Sequence, residues 1–344
     1  MKTPLLSICI ATYNRAEYIG KTLESIIPQL TEEVEIVVVD GASTDSTNSV
    51  LKHYMATCKQ IRYIRLPSKG GIDQDYCKAV EYAHGQMCWL FSDDDLLRPD
   101  AIKTVLSESK KGYCLIVVNA QIMSRDLLKI LENKRLRISK NETYDALKFE
   151  ELFHRIIPYV SFIGCVVINR DLWLQRDKKQ YLGTEFVHIG VIFQAPLPAQ
   201  TLVIAEPYIT IRYGNSQWST RALEIWMFKW PSLIWSLKYI SQKVRQKHQV
   251  NTYWLILKNI IVFRAGGGYS LKDYREWFAS KKSSLWLRIG ALFIALIPGV
   301  FINLIMQVYY KMIKKEAWMS IYFLENSKYN IFKRRKLSFL TSLF

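Results

Sequence analysis

An α/β fold with a mostly parallel sheet and helices on both faces is what this chain predicts, on three observations. Apolar, β-rich runs alternate with helical patterns through the first part of the chain. The runs end in polar clusters. The last cluster, Asp93-Asp94-Asp95, puts three adjacent carboxylates at the end of the apolar run Met87-Cys88-Trp89-Leu90-Phe91-Ser92. Strands that alternate with helices assemble as a parallel sheet covered on both sides.

The first strand is Leu5-Leu6-Ser7-Ile8-Cys9-Ile10-Ala11, followed by Thr12-Tyr13-Asn14-Arg15 and a helix with apolar positions Tyr18, Ile19, Leu23, Ile26 and Ile27. The second runs from Val34 to Val39 and ends in Asp40 and Gly41-Ala42-Ser43-Thr44-Asp45, before a helix through Val50, Leu51 and Tyr54. The third, Ile61 to Leu66, leads into Gly70-Gly71. The fourth carries the acidic triplet. Adjacent carboxylates repel one another and are costly to bury, so packing gives no reason for them at a strand tip. A divalent cation does, because Mg2+ and Mn2+ take oxygen ligands and can hold a diphosphate. An acidic turn capping the helix after Pro99 and Asp100 is the other reading these residues allow. In open α/β sheets ligands bind outside the carboxyl ends of the strands. Thr12 to Arg15, Asp40 and Asp93 to Asp95 all fall there, which predicts a nucleotide site.

With those motifs in that order, the chain resembles the family 2 glycosyltransferases of the GT-A fold. The resemblance rests on Ala11-Thr12-Tyr13-Asn14-Arg15, Val38-Val39-Asp40-Gly41-Ala42-Ser43-Thr44-Asp45, Lys69-Gly70-Gly71 and Ser92-Asp93-Asp94-Asp95-Leu96-Leu97-Arg98-Pro99. A finer likeness, to enterobacterial O-antigen abequosyltransferases, rests on residues 71–80, 212–218 and 224–231. Those enzymes transfer a 3,6-dideoxyhexose from a CDP-sugar. The resemblance implies a nucleotide-sugar donor, a lipid-linked oligosaccharide acceptor and Mn2+ or Mg2+ as cofactor.

Roles follow residue by residue from the resemblance. Asp40 accepts from the nucleobase edge, from either a uracil N3–H or a cytosine amino group. Tyr13 stacks on the base, the Thr12 backbone bonds it, and Asn14 and Arg15 complete that loop. A D-x-D reading makes Asp93 and Asp95 the metal ligands. Alignment on Pro99 favours Asp94 and moves Asp93 toward the ribose, so all three stay candidates. The family's Arg-Asn pair after the Gly-Gly turn is replaced by Tyr76-Cys77, which leaves Asp73 and Lys78 as substitutes for ribose or phosphate contacts. The family's late His is absent from Arg212-Tyr213-Gly214-Asn215. Asn215 takes its place, and Arg212 offers a planar fork to phosphate. Gly164, in Ser161 to Arg170, and Trp218 belong to the acceptor or donor-sugar side. In Gly183-Thr184-Glu185-Phe186-Val187-His188 the family's acidic base maps to Glu185, with His188 one helical turn on. A base there takes the proton from the acceptor hydroxyl as it attacks the anomeric carbon. Family 2 enzymes invert, whereas an α-abequosyl linkage made from an α donor implies retention, so a nucleophilic role for Glu185 also stays open.

Charge is unevenly distributed. From Lys229 to the end there are 20 Lys or Arg and 4 Asp or Glu, a net of +16 out of +17 for the whole chain. That asymmetry calls for an anionic partner. The basic residues are interleaved with large apolar ones and no nucleic-acid motif is present, so the expected partner is an anionic membrane surface and not nucleic acid. Leu223, Trp226, Met227 and Trp230 share a helix face that Pro231 ends or kinks. Ile289 to Met306 is uncharged over 18 residues, the lower limit for a span, but Pro298 and Asn303 interrupt it. Lys281, Lys282 and Arg288 precede it, and Lys311, Lys314 and Lys315 follow. Basic flanks on both sides argue for a re-entrant or interfacial element, with a true span as the alternative. Lys333-Arg334-Arg335-Lys336 and the apolar residues after it add surface attachment.

Thr12 to Arg15 cut the first apolar run short, which argues against a signal segment. Six cysteines without C-x-x-C spacing read as reduced core thiols and no zinc. The expected organisation is a catalytic domain over 1–220, a helical amphipathic extension over 221–280 and a membrane-associating segment over 281–344. The expected location is the cytoplasmic face of a bacterial inner membrane, peripheral or monotopic. Residues 124–150 are expected to form a helix-loop excursion. The rival functions are a UDP-sugar transferase for another surface polysaccharide and a non-catalytic sugar-nucleotide or membrane-binding relative.

Overall fold

The four apolar runs at the start of the chain lie side by side in the computed structural model, which describes residues 3–215, 217, 221–248, 253–280, 284–314 and 317–332. Trp218, Lys281, Lys282, Lys315 and the 333–344 cluster, all singled out above, lie outside the described residues. The strands are β1 (Leu6–Thr12), β2 (Val34–Asp40), β3 (Ile61–Arg65), β4 (Met87–Phe91), β5 (Leu96–Leu97), β6 (Leu115–Ser124), β7 (Ile130–Glu132), β8 (Glu142–Tyr144), β9 (Val166–Asn169) and β10 (Thr201–Tyr213). They make one sheet in the order β3-β2-β1-β4-β9-β6-β10-β5, with β7 on β6 and β8 on β10. The β3-β2-β1-β4 half is parallel, and β9 joins β4 antiparallel. Every residue of β1 and β4 is buried, so these strands read as continuous apolar runs, not alternating ones.

The crossovers of the parallel half are helical: α1 (Ala16–Ile26), α2 (Thr47–Thr57) and α3 (Ile72–Tyr82). α1 buries Tyr18, Ile19, Leu23 and Ile26, the face its spacing predicts. α3 starts after Gly71, whose φ of 99° suits a residue without Cβ. Later come α4 (Ala101–Ser109), α5 (Phe149–Val160), α6 (Arg170–Gln175) and α7 (Val187–Phe193). The acidic triplet does not cap α4. β5 intervenes, and the residue before the helix, Asp100, makes no side-chain cap. The 124–150 excursion carries the short strands β7 and β8, with helix only at its end, in the 3-10 turn Ala146–Lys148 and the start of α5. After the tight turn that follows β6, β7 pairs back on it, and β8 pairs with β10. All six cysteines are free and buried.

The chain divides into two compact units, residues 1–212 with 233–248, and residues 213–232 with 249–344. The first therefore ends eight residues before the expected boundary and takes back a later segment. In the second unit, Ala222–Glu224 leads into a π-helical turn, Ile225–Lys229, just before Pro231. A wider turn accommodates a residue that has no N–H and crowds the carbonyl four positions earlier. The core of this unit includes Ile260, Ala265, Tyr269, Ala291, Ile294 and Ile302.

Within it, no single helix among the described residues is long and apolar enough to cross a membrane. Leu285–Leu296 and Gly299–Met312 form a pair bent by 98° at Pro298. Arg264 secures the bend by donating from Nε and Nη2 to the Ile297 carbonyl at 3.1 and 2.9 Å. Asn303, which interrupts the apolar run, is buried and donates to the Ala265 and Leu324 carbonyls. Its amide is satisfied inside the unit. On the outer faces, Trp286, Ile289, Phe293, Phe301, Ile305 and Met312 are exposed, Phe293 and Ile305 at 65% each.

Candidate active site

Parallel register brings the polar ends of β1 and β2 together: Thr12 pairs with Asp40. Gly41 N donates to the Thr12 carbonyl at 2.9 Å. The two loops are then sewn to each other. Asn14, at φ 54°, accepts from Thr44 N at 2.7 Å, and its own N donates to Ser43 Oγ at 2.9 Å. Asn14 is thus a loop clamp. Asn tolerates this left-handed conformation better than most residues. Asp40 is fully buried. It accepts from Ser43 N at 2.8 Å and from the Tyr63 hydroxyl at 2.7 Å. Lys69 Nζ stands 3.9 Å from the centre of the Tyr13 ring.

The acidic triplet lies beyond β4, next to the β1 loop. Arg15 spans two of its members, with Nε 3.3 Å from Asp93 and Nη2 2.8 Å from Asp94. Asp95 turns the other way. It accepts from Ser92 Oγ and from Arg212 N, the latter at 2.7 Å, and is 2% exposed. Burial first, and the Asp94 charge second, push Asp93 up to about 7 against the opposing pull of Arg15. Burial and the same neighbour raise Asp95 well above the carboxylate range. Both shifts reflect carboxyl groups crowded together out of water. Arg212 lies behind it, with Nε on the Asp94 carbonyl at 2.9 Å and Nη1 on the Arg125 carbonyl at 2.9 Å. Its Nη2 is buried without a hydrogen-bond partner among the described residues. An unmet guanidinium N–H beside an acidic cluster suits a phosphate oxygen.

No group of three or more His, Cys, Asp or Glu side chains that could hold a metal occurs among the described residues. The donor set still fits Mg2+ or Mn2+. Such ions are commonly held by one or two carboxylates plus substrate phosphates and water. Asp93 and Asp94 would supply that set from the Arg15 side, while Asp95 faces Ser92 and the Arg212 backbone.

Other expectations change on the acceptor side. Asp73 is not free for a ribose or phosphate. Its two oxygens accept from Glu185 N at 2.9 Å and Val187 N at 3.0 Å. It thereby holds Glu185 at φ 73°, a left-handed conformation unusual for a non-glycine residue and costing about 1–3 kcal/mol. Glu185 itself is half-buried, so its carboxylate keeps access to a substrate. Lys78 is two turns into α3 and pairs with Glu81 at 2.7 Å on the solvent side, away from the strand ends. Gly164 accepts from Trp89 Nε1 at 2.8 Å, and a Cβ there would meet the Phe162 ring at 2.4 Å. Its glycine is required by packing. Asn215 lies in the second unit.

His188, a catalytic candidate beside Glu185 for which a structural role was the alternative, is a core residue. It is 1% exposed, and its Nε2 donates to the Val160 carbonyl at 2.8 Å. Burial lowers it from 6.5 to about 4. The folded protein thus binds fewer protons than the unfolded chain between those values, and stability falls as pH drops through that window. This group alone is worth about 3 kcal/mol there. His188→Gln keeps a donor for Val160 and cannot titrate. Its urea-unfolding free energy is expected to fall less than that of wild type between pH 7 and pH 4, a difference that cancels carboxylate contributions common to both.

Sequence reasoning assigned no role to Tyr63, which bonds Asp40, or to Asp75 and Lys69, whose charges act on each other beside it. The available signal was the second acid, after Asp73, in the first turn of α3.

A sheet whose parallel half ends in such a polar edge is the GT-A architecture. The same fold occurs in S. aureus TarS 1–349, solved in complex with UDP-GlcNAc, at a TM-score of 0.55 and 13% identity, covering 96% of this chain and 92% of that one. It also occurs in a mannosyltransferase from Pyrobaculum calidifontis solved with GDP-Man and Mn2+, at a TM-score of 0.53 and 14% identity, covering 95% and 88%. Residues 7–163 match the family described as Glycosyl transferase family 2. Among curated relatives it resembles the abequosyltransferase RfbV of Salmonella typhimurium, 25% identical over 230 residues, 63% of this chain and 69% of that protein. A chondroitin synthase of Escherichia coli is 33% identical over 117 residues, but the chain spans only 17% of it.

Proposed function

We propose that this glycosyltransferase moves a 3,6-dideoxyhexose such as abequose from a CDP-sugar to a polyprenyl-diphosphate-linked oligosaccharide, in O-antigen assembly at the cytoplasmic face of a bacterial inner membrane. The observation that carries the reading is the Asp93-Asp94 pair beside the Thr12–Asp40 strand ends, with the Arg212 Nη2 unmet behind it. The abequosyltransferase relative supports the donor. A glucosyltransferase of Campylobacter jejuni, named for a PP-undecaprenol substrate and 29% identical over 120 residues, supports the acceptor class.

Asp93 and Asp94 would hold Mn2+ or Mg2+, which supplies Lewis-acid stabilisation of the leaving diphosphate. This chain's residues do the rest. Tyr13 carries the base, Arg212 meets a phosphate oxygen, and Glu185 takes the proton from the acceptor hydroxyl as it attacks. Titration calorimetry with CDP and UDP, each with and without Mn2+, tests the reading. Metal-dependent binding of CDP is the expected result, preference for UDP discards the dideoxyhexose donor, and binding of neither discards the transferase reading.

The bent helix pair is the membrane element in this proposal. Its exposed apolar faces, in a region carrying nearly all the net positive charge, suit an interfacial position in an anionic leaflet. Burying each of these side chains in lipid contributes about 1.5–3 kcal/mol. Phe293→Glu with Ile305→Glu is expected to move the protein from the floating to the pellet fraction with vesicles containing phosphatidylglycerol. Unchanged flotation rejects this pair as the docking surface.

A further inference from the structure

Asp75 is 3% exposed, and its Oδ1 has no hydrogen-bond partner among the described residues. Its Oδ2 lies against the β2 loop, where a Cβ on Gly41 would stand 2.7 Å away. Gly41 is therefore the residue that leaves room for this carboxylate. The charged groups acting on Asp75 are Asp40 and Lys69. Lys69 in turn covers the Tyr13 ring. Asp75 thus belongs to the base end of the site. Asp40, the residue expected to read the base, already accepts from Ser43 N and the Tyr63 hydroxyl, one on each oxygen, which leaves it fewer free lone pairs. Asp75 Oδ1 is the carboxylate oxygen at this end that is buried with no hydrogen-bond partner among the described residues. An acceptor buried without a donor is costly, and a ligand N–H removes that cost.

We propose that Asp75 selects cytidine over uridine by accepting from the exocyclic amino group of cytosine. Burial, and then the charge of Asp40, push its carboxyl up to about 6, so at pH 7.5 it is still an anionic acceptor. Cytosine and uracil differ in what they present at ring position 4: an amino group with two N–H bonds, or a carbonyl oxygen. Two carboxylates side by side suit the first. Against the second, the lone pairs of Asp75 oppose those of the carbonyl, and the one donor nearby, N3–H, lies on the neighbouring ring atom. The inference rests on the sugar-nucleotide reading above and adds the residue that chooses the base.

The test is titration calorimetry at pH 7.5 with Mn2+, using full-length protein and three ligands: CDP, UDP and 2-pyrimidinone riboside diphosphate, which is CDP without the amino group. Wild type is expected to bind CDP about 10- to 100-fold more tightly than either of the others, the range for a buried hydrogen bond to a charged group. In Asp75→Asn the amide can turn its N–H2 toward a carbonyl, so the CDP preference is expected to fall to parity or reverse. Gly41→Ala, which displaces the Asp75 carboxylate, is expected to lower the preference as well. The desamino ligand probes wild type directly and needs no variant to fold. Equal binding of that ligand and CDP overturns the assignment, as does an Asp75→Asn protein of wild-type melting temperature that keeps the full preference. Wild type that binds UDP as tightly as CDP overturns it while leaving the transferase reading in place, whereas binding of no nucleotide removes both.

Discussion

Glu185→Gln is expected to lower kcat for sugar transfer by about 10²–10⁴-fold, the usual contribution of a positioned general base, with donor binding unchanged. The geometry is the reason. Glu185 is the one non-glycine residue of the acceptor-side loop in a left-handed conformation, and Asp73 holds it there from a helix more than a hundred residues earlier. Strain maintained by a buried, dedicated partner marks a side chain whose direction matters. Gln preserves shape and backbone but cannot take a proton, so the melting temperature is expected to stay within a few degrees. Transfer of labelled sugar under saturating donor is the measurement. A kcat within threefold of wild type would remove Glu185 from the mechanism, as base or as nucleophile.

Asp94→Asn has the second large effect. The variant keeps an oxygen for Arg15 Nη2 but removes one of the two adjacent charges that Arg15 bridges. The Asp94 charge also raises Asp93, so its removal relieves repulsion within the triplet. Metal-dependent affinity for the nucleoside diphosphate is expected to fall about 100-fold or more, two to three kcal/mol of lost charge interaction. Stability is expected to hold or rise, the pattern of a site that trades stability for function. Calorimetry with and without Mn2+ reads the first and thermal melting the second. Full metal-dependent binding in a folded variant would show that Asp94 is no ligand.

The parts of this protein that were legible in its sequence are those set by neighbours along the chain. β1, β2 and β4 show as apolar runs because they are buried on both faces or nearly so, and their ends show because the polar residues there have no packing reason. The interrupted apolar segment 289–306 showed its break for the same local reason, since Pro298 cannot continue a helix. The antiparallel half of the sheet did not show, since β9 pairs with β4 across an insertion of some seventy residues and carries no mark of its partner.

What the sequence by itself determined, then, is the parallel half-sheet, its polar edge and the acidic triplet, because periodicity and charge repulsion act between residues close in the chain. Only the tertiary structure decided how those acids divide. Arg15 takes Asp93 and Asp94, Arg212 and Ser92 take Asp95, Asp73 serves the Glu185 turn and His188 sinks into the core. Asp75 and Asp73 stand two residues apart in one helix turn and look alike in sequence. One has both oxygens filled by a distant backbone and the other keeps an oxygen unfilled, because hydrogen-bond satisfaction depends on which groups arrive from elsewhere in the chain.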